Sequence, residues 1–122
     1  MAHTLTWQKN GLLRDFSGQI SAEEILKSNF DLHVDPRFEE INYVINDFRK
    51  VTDYSVNKDH TKIYASTDDV ISDSKGKLKI AIIAVEDGHI ALAKNYRAEM
   101  KNKNFVCAIF NNAEDAQVWA NQ

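Results

Sequence analysis

The start of the chain alternates between apolar and polar positions, which is the pattern of half-buried β-strands. In HTLTW, residues 3 to 7, Leu5 and Trp7 alternate with threonines. The dipeptide Asn10-Gly11 favours a tight hairpin turn into LLRDFSG, residues 12 to 18. The chain is therefore expected to open with two strands joined by a hairpin.

The next segment changes to the spacing of an amphipathic helix. Ser21 is followed at the third position by Glu24, a pair whose side chains satisfy free backbone N–H groups at a helix start. The helix is expected to end near Asp35, because Pro36 disfavours helical geometry in the residue before it. The residues expected to face inward are Ile25, Leu26 and Phe30.

The middle of the chain predicts a third strand and a second helix. The strand is INYVINDF, residues 41 to 48, with Ile41, Tyr43 and Ile45 on one face and Val44 on the other. The helix is expected from about Asn57 to just before Lys75-Gly76. Its inward stripe would be Ile63, Val70 and Ile71.

The last third predicts two strands that alternate with two helices. KLKIAIIAV, residues 77 to 85, and NFVCAIF, residues 104 to 110, are nearly continuous apolar runs, as in strands covered on both faces. Asp87 is expected to cap the third helix, and Asn112 a short terminal one. The third helix would turn inward His89, Leu92, Ala93, Tyr96 and Met100.

The resulting order is β-β-α-β-α-β-α-β-α, within a single domain that spans residues 1 to 122. Alternation of this kind predicts the α/β class, with a mostly parallel sheet and right-handed crossovers. No repeat or linker divides the 122 residues, a length that buries roughly two thirds of the surface of the extended chain.

Charge and cysteine content narrow the functional classes. A net charge of −3, from 15 basic and 18 acidic residues, creates no broad positive field, so we expect no nucleic-acid partner. The single cysteine, Cys107, excludes an internal disulfide, and its position within an apolar strand predicts core packing. A free cysteine, no apolar signal core and no run near the roughly 20 residues of a transmembrane helix favour a cytoplasmic location.

No motif in the chain demands catalysis or a bound metal. The histidines, His3, His33, His60 and His89, are widely spaced, and the glycines form no phosphate-binding loop. We therefore expect no cofactor, no metal, no catalytic residue and no enzymatic activity.

Four segments resemble a known family, the SpoIIAA-like or STAS-like (STAS/SEC14-like) small bacterial domains. They are SGQISAEE at 17 to 24, DPRFEEINYVINDFRKVTDYSV at 35 to 56, KIAIIA at 79 to 84 and IFNNAEDAQVWA at 109 to 120. The resemblance extends over nearly the whole chain. It implies a SpoIIAA-like fold with about five strands, an antiparallel edge strand and four helices.

The resemblance also implies a candidate phosphorylation site. In the anti-sigma factor antagonists of this family, a partner kinase phosphorylates a serine at a helix start after the third strand. Asp53 and Ser55 are the nearest equivalents here, although Tyr54 and Val56 replace the serine and glycine of that element. A helix start suits phosphate because its free N–H groups favour negative charge. The residues themselves favour the simpler interpretation that Ser55 and Asn57 are ordinary turn and cap residues.

Open α/β sheets bind ligands beyond the carboxyl ends of their parallel strands, which predicts a ligand or partner rim. Each of its members also has a structural use, as a helix cap or as the partner of a neighbouring charge. The residues assigned to this rim are Asp47, Arg49, Asp53, Ser55, Asp87, His89 and Asn111.

Two helix surfaces carry opposite charge, which indicates self-association or a protein partner. The second helix has an acidic and hydroxylated face formed by Tyr64, Ser66, Thr67, Asp68, Asp69, Ser72 and Asp73. The outer side of the third helix is basic, with Lys94, Arg97, Lys101 and Lys103.

The resemblance leads us to expect a non-enzymatic regulatory or protein-interaction domain. The alternative is a carrier or sensor of a small apolar or lipidic ligand, which the SEC14-like branch of the family implies. A cavity of several hundred cubic ångströms would favour the carrier, and a solid interior would count against it. The aromatic residues available to line such a cavity are Phe16, Phe30, Phe38, Tyr43, Phe48, Tyr96 and Phe105.

Overall fold

The computed structural model describes residues 3 to 122. Its strands are β1 (His3–Trp7), β2 (Gly11–Ser21), β3 (Tyr43–Ser55), β4 (Leu78–Ile83) and β5 (Phe105–Phe110). Its α-helices are α1 (Ala22–Val34), α2 (Lys58–Lys75), α3 (Asp87–Glu99) and α4 (Ala113–Ala120). A short 3-10 helix, Pro36–Glu40, precedes β3.

The five strands form one sheet in the order β1-β2-β3-β4-β5. β1 is antiparallel to β2, and the other neighbouring strands are parallel. The predicted α/β class, the mostly parallel five-stranded sheet, its antiparallel edge strand and the four helices are thereby confirmed.

The sheet has a thickly covered face and a thinly covered face. Each of the three crossovers moves one strand further in the same direction, and right-handed connections then put α1, α2 and α3 on one face. The larger core lies under them and includes Leu12, Phe16 and Ile80. α4 alone covers the opposite face, where Ala116 and Ala120 pack on residues such as Ile45.

β3 is longer than the sequence predicts, because it continues past Phe48 to Ser55. Asp15 pairs with Asp47, but Ser17 pairs with Lys50 and Gln19 with Asp53, so β3 accommodates one extra residue at each of two points. These bulges break the alternation of apolar and polar positions. The hydrophobic pattern therefore stops at Phe48 although the strand does not.

The predicted inward stripe of α2 is wrong at two of its three positions. Ile63 is 48% exposed and Val70 is 73% exposed, and only Ile71 packs against the core. The buried face is largely polar, and hydrogen bonds inside the protein compensate the burial of its polar side chains. It comprises Thr61, Tyr64, Ala65, Asp68 and Ser72, three of which were assigned to an outer acidic surface.

Three local predictions also differ from the structure. Phe30 is 51% exposed, and α1 instead buries polar Ser28 and Asn29. The N-cap of α3 is Glu86 and not Asp87, because the Glu86 carboxylate accepts a hydrogen bond from the Gly88 N–H at 2.8 Å. By contrast, the predicted caps at Ser21 and Asn112 are confirmed.

Candidate functional site

A cavity of about 70 Å³ lies between the sheet and helices α1, α2 and α3. Most of its wall is apolar, and five of the seven aromatic residues proposed for such a cavity line it. Phe30 and Tyr43 do not, since Phe30 points to solvent and Tyr43 packs on the opposite face of the sheet. The aromatic lining residues among those seven are Phe16, Phe38, Phe48, Tyr96 and Phe105.

The most unusual group in the cavity wall is the guanidinium of Arg14, which is only 5% exposed. β2 places Arg14 between Leu12 and Phe16 on the face that α1 to α3 cover. Its Nε donates to the Asn46 side-chain oxygen at 2.8 Å, and its Nη1 donates to the Ser28 hydroxyl at 3.0 Å. Burial lowers the pKa of Arg14 to about 10, and the nearby carboxylate of Asp68 only partly opposes this effect.

Asp68, from the buried face of α2, supplies the opposite charge and is 7% exposed. One of its carboxylate oxygens accepts a short hydrogen bond from the Tyr96 hydroxyl of α3. The other lies 3.2 Å from Nε2 of His33 at the end of α1. Burial and the neighbouring carboxylate raise the pKa of Tyr96 well above its usual value, so its hydroxyl stays protonated and donates. Asp68 therefore joins α1, α2 and α3.

Arg14 and Asp68 both line the cavity, yet no salt bridge joins them among the described residues. Buried charges in proteins are normally paired directly, because a lone charge in a low-dielectric interior is unfavourable. The arrangement thus places two opposite charges on the wall of one cavity.

A second group of lining residues lies where β3 approaches α3. The Tyr54 ring contacts the rings of Phe48, with centroids 5.9 Å apart, and of His89, at 4.8 Å. These side chains are half-buried, unlike most of the lining. Burial raises the pKa of Tyr54 to about 12, so it is a neutral hydrogen-bonding group near neutral pH. His89 also lies 3.1 Å from the exposed carboxylate of Glu86.

Only His89 of the seven predicted rim residues lines the cavity. Asp47 and Arg49 form a side-chain pair on the α4 face, joined at 2.7 Å and 3.0 Å. Burial alone would raise the pKa of Asp47, but hydrogen bonds from the Arg49 side chain and backbone reverse the effect, and the net pKa is lowered.

The other four rim residues occupy exposed positions. Asp53 lies in the part of β3 that extends beyond β4, and Ser55, at the end of β3, donates to the Ile20 carbonyl at 3.4 Å. Asp87 begins α3, and the Asn111 side chain accepts a hydrogen bond from Asn112 at 2.8 Å. The structure brings Asp47 and Arg49 together as one pair and places His89 on the other face of the sheet.

Sequence reasoning missed most of the polar residues of the cavity, above all Arg14 and Asp68. A signal for Arg14 was present, since it lies in phase with Leu12 and Phe16 on one strand face. A weaker signal for Asp68 was its helical spacing from Tyr64 and Ser72. The charged residues were passed over because periodicity was read from apolar positions alone.

Cys107 is not among the residues that line the cavity. Cys107 packs against the larger core as predicted, and burial raises the pKa of its thiol to about 12. Within residues 3 to 122, no three side chains of His, Cys, Asp or Glu gather as potential metal ligands. None of the helices described is long and apolar enough to cross a membrane.

No family model matches the sequence, and no curated protein is similar to it. Among solved structures, the chain is similar to an uncharacterised protein of the DUF3478 family with a SpoIIAA-like fold, from Shewanella loihica PV-4. The TM-score is 0.55 at 16% sequence identity, and the match covers 98% of this chain and 92% of that one. The chain therefore has a SpoIIAA-like fold, as the sequence resemblance implied, and the likeness extends to the fold alone.

Proposed function

We propose that this chain is a non-enzymatic binding protein, a carrier or sensor, for a small organic molecule in the cavity between the sheet and α1 to α3. The supporting observation is that two buried opposite charges, Arg14 and Asp68, face this cavity without pairing to each other. Apolar walls with a few convergent polar groups are characteristic of small-molecule sites.

The volume restricts the class of ligand. At about 70 Å³ the cavity is far below the several hundred cubic ångströms expected for a lipid or another large ligand. A single water molecule needs about 10 to 15 Å³ of such volume, so the space corresponds to a molecule of only a few non-hydrogen atoms. Of the apolar or lipidic ligands considered from the sequence, the proposal therefore keeps only small molecules.

Native mass spectrometry of the protein isolated from its own cells tests this function. We expect a small non-covalent adduct that disappears under denaturing conditions. Ala93→Leu, which extends a buried side chain of the cavity wall, should abolish the adduct by filling the space. The matched control is Ala98→Leu at an exposed position of the same helix, and it should retain the adduct.

Two outcomes would contradict the proposal. One is bare wild-type protein that no small molecule stabilises in thermal unfolding. The other is an adduct that a folded Ala93→Leu variant retains, because the ligand would then bind elsewhere. Circular dichroism establishes beforehand that both variants fold, since overpacking a core costs about 1 to 3 kcal/mol.

A regulatory or protein-interaction role is the second candidate, and exposed apolar side chains on α1 and α2 favour it. Val34 is 80% exposed and Val70 is 73% exposed, so both side chains are free to pack against a partner. This function predicts a dimer in the native spectrum or a covalent phosphate on Ser55 in the denatured one. A monomer without modification would contradict it.

A further inference from the structure

We propose that the ligand of this cavity is a small monocarboxylate whose carboxylate group binds to the free edge of Arg14. The inference rests on the proposed function and specifies its ligand class. It follows from the hydrogen-bond donors of Arg14, the partners of Asp68, and the size and polarity of the walls.

The guanidinium of Arg14 has donors to spare. It carries five N–H groups, of which Nε binds Asn46 and Nη1 binds Ser28. Its Nη2 has no hydrogen-bond partner among residues 3 to 122. In that range, Asp15 Oδ1 is the one fully buried polar side-chain atom without a partner, so Nη2 is not fully buried. The open space that Arg14 lines is the cavity, so Nη2 is available to a ligand.

Asp68 does not accept a hydrogen bond from Nη2 of Arg14, because each of its carboxylate oxygens already has another partner. Tyr96 donates to one oxygen, and His33 lies 3.2 Å from the other. The same pairing makes Asp68 a poor site for a cationic ligand. Burial lowers the pKa of Arg14 despite Asp68, which indicates that its charge is incompletely compensated. An anion beside Nη2 would supply the missing compensation.

The walls favour a carboxylate with a short apolar tail over inorganic anions. Phosphate or sulfate would present several oxygens to a wall whose surface is mostly apolar and includes Phe38, Leu78, Ile80, Ile82 and Phe105. Oxygens left without donors in such surroundings are unfavourable. A carboxylate concentrates its charge at one end, where Arg14 and the neighbouring amides lie. The volume fits a tail of about three to five carbons, since the cavity holds only a few water-sized units.

The test compares three probes that share one tail: butanoate, 1-butanol and butylamine. Binding is followed by titration while the amide and arginine Nε–H resonances of the wild-type protein are recorded by NMR. We expect butanoate to bind at least about 10-fold more tightly than butanol, because charge-assisted hydrogen bonds are stronger than neutral ones. Butylamine should bind most weakly, and the Arg14 Nε resonance should shift with butanoate.

Arg14→Gln should weaken butanoate binding by about 10- to 100-fold and leave butanol binding nearly unchanged. The control is Arg97→Gln, which makes the same charge change at an exposed position outside the cavity, and it should bind butanoate as the wild type does. If Arg14→Gln does not fold, the three probes on the wild-type protein still decide the question.

The outcomes separate this inference from the proposed function. Equal affinity for butanoate and butanol, or undiminished butanoate binding by folded Arg14→Gln, would overturn the carboxylate inference and leave the binding function standing. Failure of all three probes would overturn the inference, and bare protein in native spectra would then overturn the function as well. Binding that Ala93→Leu abolishes and that requires Arg14 would support both.

Discussion

Gly11 lies directly beneath the ring of Tyr43, and this contact explains why glycine is needed at the start of β2. A Cβ atom on Gly11 would lie 2.3 Å from a carbon of that ring. The ring cannot easily move, because Gln117 donates to the Tyr43 hydroxyl at 3.1 Å and Tyr43 donates to Gln8. The predicted tight hairpin forms one residue earlier, with Lys9 and Asn10 at its centre, because Trp7 pairs with Leu12 and the Gln8 N–H donates to the Gly11 carbonyl at 2.8 Å. Gly11 already belongs to β2, and its backbone does not adopt the left-handed conformation.

Gly11→Ala should therefore destabilise the protein by about 1 to 3 kcal/mol, the range for overpacking a core. Urea denaturation followed by circular dichroism measures the change. Gly88→Ala is the matched control, since its added Cβ would meet only the exposed side chain of Glu86, whose carboxylate caps α3 and would have to shift by a few tenths of an ångström. The helix preference of alanine opposes the loss at the cap, so the control should stay within about 1 kcal/mol of the wild type. A Gly11→Ala protein as stable as the wild type would show that the Tyr43 ring is free to move.

At the scale of elements, the beginning of α2 controls one end of the cavity wall. The Asn57 side chain accepts hydrogen bonds from the backbone N–H groups of Asp59 and His60, at 2.9 Å and 3.2 Å. In return, His60 Nδ1 accepts from the Asn57 N–H at 3.0 Å, which completes a capping box. Thr61 and Tyr64 of the cavity wall follow within two turns of this cap.

Asn57→Ala should lower the free energy of unfolding by about 1 kcal/mol, because two backbone N–H groups lose their acceptor. Asn57→Asp keeps an acceptor near the positive end of the helix, so its stability should stay within about 0.5 kcal/mol of the wild type. Chemical denaturation measures both variants. Equal stability of Asn57→Ala and Asn57→Asp would mean that solvent replaces the cap at no net loss.

The elements also show where a hydrophobic pattern is sufficient. Strands β4 and β5 were predicted because central parallel strands are covered on both faces and become continuously apolar. The extension of β3 was missed, since its two bulges put Phe48, Val51 and Tyr54 on the same face at intervals of three residues. An alternating pattern cannot persist through such a register change.

On the scale of the whole molecule, the sheet has two parts that differ in how many strands and helices pack against them. Residues 43 to 47 of β3 pair with both β2 and β4, whereas the rest of β3 pairs with β2 alone. α4 covers the opposite face mainly across β3, β4 and β5. The ribbon formed by the second halves of β2 and β3 thus extends beyond the central sheet.

Native-state hydrogen exchange should show these two parts directly. We expect the slowest exchange in residues 43 to 47 and 80 to 83, which are buried between α4 and the layer of α1 to α3. Residues 49 to 55 and the edge strand β1 should exchange faster, because fewer contacts must break to open them. NMR or mass spectrometry after deuterium exchange measures the protection. Equal protection along all of β3 would contradict this description.

The candidate site was the least predictable part of the molecule. The sequence-based rim assumed a strand end after Phe48, and the continuation of β3 instead separates Asp47 and Arg49 from His89 by the thickness of the sheet. The aromatic lining was largely foreseen, because large apolar side chains fill or border an interior wherever it lies. The polar lining was not, because a buried charge has no hydrophobic signature.

The sequence by itself determined the α/β class, the order of strands and helices and most of the caps. These depend on local periodicity, turn chemistry and hydrogen bonds between residues a few positions apart. Only the tertiary structure decided that Arg14, Asn46, Asp68 and Tyr96 meet around one cavity. Those residues come from β2, β3, α2 and α3, and their burial is favourable only when hydrogen bonds from distant segments compensate the loss of water. A single sequence records each polar residue, but the partners that allow its burial are fixed only when the chain folds.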